Sequence, residues 1–158
     1  MSSTATSLVQ TYSSLGISGA AYPGPASGIL ASVRKQYYFR PSESGFDAWD
    51  VDHLIELSAH LPVIELPLTA IRELDTAHWF DADGAPFTVR VLVRHMELVN
   101  QADLAFPVIL GTEGQVMDGM HRVARCLLEG RATVPARQFI VQPEPDHRNV
   151  SPKDLSYD

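Results

Sequence analysis

Cysteine is nearly absent from this 158-residue chain: Cys126 stands alone. No intrachain disulfide can therefore form, and no cysteine-rich zinc site can be built. Lysine is almost as scarce, with only Lys35 and Lys153, both outside the central part of the chain. Acidic side chains outnumber basic ones by 19 to 12, a formal net charge of −7. A field of that sign repels nucleic acid and anionic membrane surfaces, and no Lys/Arg-rich segment is present to cover a duplex. No apolar run approaches the roughly 18 residues that span a bilayer. The N-terminus has neither a basic start nor a continuous apolar block, which argues against a secretory signal. There is no Walker A loop, no G-x-S-x-G and no internal repeat. These absences point to a reducing, cytoplasmic setting and away from stand-alone DNA binding.

A hydrophobic fraction of 45% with 20% charged residues is ordinary for a soluble globular protein, and the length suits one domain with one core. Residues 1–33 are rich in Ser, Ala, Gly and Thr and lack acidic residues, so they read as a flexible arm. Leu8, Tyr12 and Leu15 stand at helical spacing there, but Gly16 and Gly19 cut the run short. Residues 34–145 carry the expected domain, and 146–158 a polar, proline-broken, peripheral tail.

Within the domain, "RKQYYFRPSESGFDAWD" is aromatic but irregular and is expected to wrap onto the core. Asp50 caps a helix "VDHLIELSAHL", in which Leu54, Leu57 and Leu61 repeat at helical spacing before Pro62 ends it. "VIELPLTAI" reads as a strand, with Pro67 implying an edge or a bulge. "DADGAP" is a turn rather than a calcium loop, because the distal glutamate of an EF-hand is missing. Thr88 caps "VRVLVRHMELVNQ", a helix with Leu92, Met96 and Val99 on one face. "FPVIL" and "QVMD" are expected to pair as a hairpin around the turn "GTEG", and "TVPARQFIV" is a final strand. Strands and helices of this kind predict an α+β (mixed α/β) domain with a short mixed sheet flanked by helices.

Chemistry concentrates in "VMDGMHRVARCLLEG". On a helix beginning near Gly119 and closed by Gly130, the expected buried stripe is Met120, Val123, Ala124 and Leu127. His121 and Arg122 then fall in the first turn, where unpaired backbone N–H groups and the positive end of the helix dipole already lie. Two potential cations there make sense if an anion sits among them. Amides, a guanidinium fork and an imidazole suit a phosphate, and Gly119 lets the backbone approach it. The structural alternative is that Arg122 pairs with Asp118 and that His121 is a surface residue.

"PVILGTEGQVMDGMHRVARCLLEGRATVPARQF" resembles the core of the ParB/sulfiredoxin superfamily: strand, turn, strand, a G-x-[HR]-R corner, a helix, a glycine and a return strand. "VIELPLTAIREL" is similar to that family's first strand, with Ile71–Arg72 matching its "IR", so the resemblance covers about residues 62–141. It implies that Asp118, Gly119, Met120, His121, Arg122 and Arg125 form a nucleotide-phosphate corner. It also implies Mg²⁺ with a nucleotide such as ATP, ADP or CTP, and a carboxylate base after the first strand. The best matches for that base are Asp75 and, less well, Glu73. Two outcomes stay open: a small-molecule kinase or nucleotide hydrolase, and a non-enzymatic sensor of a nucleotide or phosphometabolite. The family's other activities fit less well. Met120 stands where sulfiredoxin needs a cysteine, and about 17 residues after the last strand leave no room for the ParB helix-turn-helix. Elsewhere, Glu56 and His60 share a helix face, but no second pair completes a metal site. Trp79 and Phe80 line a pocket or fill core, with core favoured.

Overall fold

A computed structural model describes residues 35–80 and 87–158. The arm over residues 1–33 and the "DADGAP" turn lie outside the described residues. The aromatic segment is a regular hairpin rather than an irregular wrap: β1 (Tyr37–Ser42) pairs antiparallel with β2 (Gly45–Asp50). Alternation places Tyr37 and Phe39 in one buried cluster and Tyr38 in another, on opposite faces of the ribbon. Both faces are apolar, which hides the period-2 signature from a sequence reading.

Helix α1 (Val51–Ser58) follows directly, with the Asp50 carboxylate accepting from the Asp52 N–H at 3.0 Å, and it ends before the expected Leu61, whose N–H closes a turn onto the Ser58 carbonyl. Strand β3 (Ile64–Pro67) is shorter than "VIELPLTAI" suggests, because Leu68–Ala70 tightens into a 3₁₀ turn. A second 3₁₀ turn, Arg72–Asp75, carries both expected carboxylates. Thr88 caps α2 (Val89–Gln101), its hydroxyl accepting from the Val91 N–H. Then come β4 (Val108–Leu110), β5 (Val116–Asp118), α3 (Met120–Leu128) and β6 (Thr133–Gln138).

The second sheet has the order β3-β6-β4-β5, with β4 and β5 an antiparallel hairpin and β4 parallel to β6. Pro67 lies in the edge strand β3, as its missing N–H requires. The tail is not merely peripheral. Its residues form β7 (His147–Val150), which pairs with β2 and completes a three-stranded sheet β1-β2-β7. Leu155 and Tyr157 beyond it pack on the Tyr37–Phe39 cluster. β7 is polar and contributes chiefly backbone hydrogen bonds, so no apolar pattern announced it.

The fold is therefore mixed α+β, with three helices and two small sheets among the described residues. One core cluster joins Leu68, Ile71, Val108, Leu110, Val123 and Val134 under α3. Another joins the sheets, with Tyr38, Trp49 and Leu54 against Ile109, Met117 and Phe139. Two helix faces depart from expectation. In α3 the buried positions are Met120, Val123 and Cys126, while Leu127 is exposed. In α2 they are His95 and Val99, while Leu92 and Met96 are 37% and 54% exposed. No described helix is long and apolar enough to cross a membrane.

Candidate functional site

Strand β5 delivers the chain to Gly119, whose φ of +102° lies in the left-handed region. Glycine is favoured by the backbone, and its missing side chain leaves room for Arg122. A β-carbon there would be strained by the backbone and would stand 2.7 Å from Arg122 Nη2 and 2.8 Å from its Nε. The guanidinium thus folds back across the glycine, and it ion-pairs with Asp118 at the end of β5. Gly119 caps α3 without a side-chain hydrogen bond, its carbonyl accepting from the Arg122 and Val123 N–H groups. Arg122 Nε is buried with no hydrogen-bond partner among the described residues. A buried unmatched donor of this kind asks for an acceptor.

His121 takes a different direction from Arg122. Its Nε2 lies 3.0 Å from His95 Nδ1 of α2 in one hydrogen bond. The indole of Trp79 lies over both rings, with centroids 4.7 Å from His121 and 4.5 Å from His95 and planes within 16°. Burial, then the neighbouring His95, His78 and Arg122, push the His121 pKa down to about 4. Burial also lowers His95, with Arg94 and His78 adding to it. His78 is lowered by burial against an opposing pull from Glu73. Imidazole and guanidinium therefore do not converge on one guest. The imidazole is held in an aromatic stack as a neutral ring, and the guanidinium is held by a carboxylate.

The remaining expected residues separate similarly. The Met120 side chain is core, so only its backbone belongs to the corner. Arg125 is not at the corner. Its Nη1 donates to the carbonyls of Asn100 and Ala102 at the C-terminal end of α2, and its Nε donates to Glu129. Such a clamp satisfies terminal carbonyls and suits the negative end of the α2 dipole. Of the two carboxylates, Asp75 is exposed, whereas Glu73 is buried and its Oε1 accepts from the Val116 N–H at 2.9 Å. Glu73 Oε2 is buried without a hydrogen-bond partner among the described residues.

A cavity of about 10 Å³ opens beside the corner, lined by Tyr38, His78, Met117, Asp118, Gly119 and Met120. That is room for about one water molecule. No three His, Cys, Asp or Glu side chains gather into a metal site among the described residues. Among the described residues, Asp118 is engaged by Arg122 and Glu73 by the Val116 N–H. His95 and His78 were not foreseen as parts of this site, and Trp79 was expected only in a pocket or the core. A polar residue at a core position of α2 is the one signal that could have found His95.

No protein-family model, curated protein or solved structure matches the chain. Its chemistry rests on the geometry alone.

Proposed function

We propose that the chain binds a phosphate-bearing small molecule at the Gly119–Arg122 corner, and that it acts by binding rather than by catalysis. The observation that carries this reading is the Asp118–Arg122 pair folded across the uncapped start of α3. A carboxylate already occupies the position an anion would take, and Arg122 still has a buried N–H to offer. An incoming phosphate exchanges with Asp118 for the guanidinium fork and gains the helix-terminal amides. A nucleotide is the form that the ParB/sulfiredoxin resemblance implies, and the order β4, β5, glycine corner, α3, Gly130, β6 agrees with it. The small cavity accepts no base or sugar, so such a ligand would lie on the surface of the corner with only its phosphate engaged.

The binding reading is favoured over phosphoryl transfer because neither expected base is free at the corner. Asp75 stands in solvent, and Glu73 is turned onto the β5 backbone. Any Mg²⁺ would be held by the ligand's own phosphate oxygens, and no chemical step of this chain is routed through it. The output would then be a protein contact controlled by occupancy.

Thermal unfolding of the full chain with ATP, ADP, CTP and GTP, with and without Mg²⁺, tests this. A ligand at about 100 times its Kd adds about 2.7 kcal/mol, a rise of several degrees for a domain of this size. Arg122→Ala should abolish the rise, and Asp118→Asn should enlarge it by removing the internal competitor. Absence of a rise with every nucleotide, or a rise indifferent to Arg122→Ala, would refute the reading. Consumption of the bound nucleotide would move the chain to the kinase or hydrolase class.

A further inference from the structure

Helix α2 has one broad apolar face, and only part of it is covered by the described residues. His95 and Val99 turn inward toward α3, while Val89, Leu92, Val93 and Met96, at i, i+3, i+4 and i+7, continue that face outward as an exposed stripe. Within that stripe Val89 is 77% exposed, Val93 46% and Met96 54%. A continuous apolar stripe on a surface helix is a site of association. Its flank carries Arg90 and Glu97, seven residues apart and hence on the same side of the stripe.

We propose that this stripe pairs with its own counterpart in a second copy of the chain, the two α2 helices running antiparallel about a twofold axis. Such an axis makes the contact isologous and sets like flank against like flank. Arg90 of each copy then lies opposite Glu97 of the other, giving two cross-pairs around the apolar seam. Charge decides this occupant against the chain's own N-terminal residues. Residues 1–34 hold a single charged side chain, Arg34, so that segment could cover the stripe and answer Glu97 but would leave Arg90 unanswered. The proposal does not depend on the phosphate corner.

Sedimentation equilibrium of the full chain, without nucleotide, tests it. The wild type should show twice the 17.4 kDa of one chain, falling to a single-chain mass on dilution. Met96→Glu should give the single-chain mass while leaving the circular dichroism unchanged, because the residue is exposed, and its melting temperature should no longer depend on protein concentration. Arg90→Glu and Glu97→Arg alone should each weaken the dimer by about tenfold, since two attractions become two repulsions. The double exchange R90E/E97R should restore it. A wild-type monomer at the highest attainable concentration, a dimer untouched by Met96→Glu, or a double exchange no better than the single changes would each overturn the proposal. Protection of α2 amides in a monomer would assign the stripe to residues 1–34 instead.

Discussion

Among single residues, Gly119 and its neighbours show how much depends on one backbone angle. The left-handed φ turns the chain from β5 into α3, and the missing β-carbon lets the Arg122 guanidinium cross to Asp118. Gly119→Ala strains the backbone and makes the Arg122 side chain shift. It should destabilise the chain by about 1–3 kcal/mol, read from the midpoint of urea unfolding. A midpoint unchanged from wild type would mean that the corner is softer than the geometry indicates. Legibility at this scale was uneven. The glycine corner, its arginine and the Asp118 alternative were all visible in "DGMHR". The direction of His121 was not, because it depends on Trp79 and His95, which lie 42 and 26 positions away in the sequence.

At the scale of the element, local chemistry was read well. Asp50 and Thr88 cap the helices they were expected to cap. Gly130, with φ +70°, closes α3, where the Gly130 N–H reaches the Leu127 carbonyl and the Arg131 N–H reaches that of Cys126. Thr88→Ala removes the side-chain acceptor for the Val91 N–H and should cost about 1 kcal/mol, with early fraying of α2 in amide exchange. No change in α2 protection would show the cap to be idle. Which helix face is buried was read less well. Leu92 and Met96 have the apolar spacing of a core face, yet His95 fills that role. Apolar periodicity identifies a surface that seeks a partner. It does not say whether the partner lies in the same chain, and on the second-copy reading the whole apolar face of α2 is used.

For the molecule as a whole, three imidazoles are kept neutral in one region by burial. Each has a folded-state pKa below its ordinary 6.5, so below that pH the unfolded chain binds protons that the folded chain refuses. Stability from this source is complete above about pH 6.5 and drains away as pH falls toward the folded value, about 4 for His121. That residue alone corresponds to roughly 3 kcal/mol across the window. Urea unfolding from pH 7 to pH 4.5 should show the loss, and His121→Gln should flatten it. A profile of equal slope in wild type and variant would separate the stack from the acid sensitivity. Cys126, fully buried with its thiol pushed up by burial, should react with a thiol reagent only on unfolding.

By itself the sequence determined the things set by neighbours along the chain: the helix starts, the ends of α2 and α3, the β4–β5 hairpin and the mixed α+β class. These follow from dihedral preferences and hydrogen-bonding side chains acting over a few residues. Tertiary structure alone decided that a polar tail would become β7, that α2 would bury a histidine, and that Arg122 would hold Asp118 while His121 stacked beneath Trp79. Those outcomes turn on which surfaces meet in space. A backbone ladder or a stacked ring gains its energy from a partner far away in sequence, and leaves no periodic trace in its own segment.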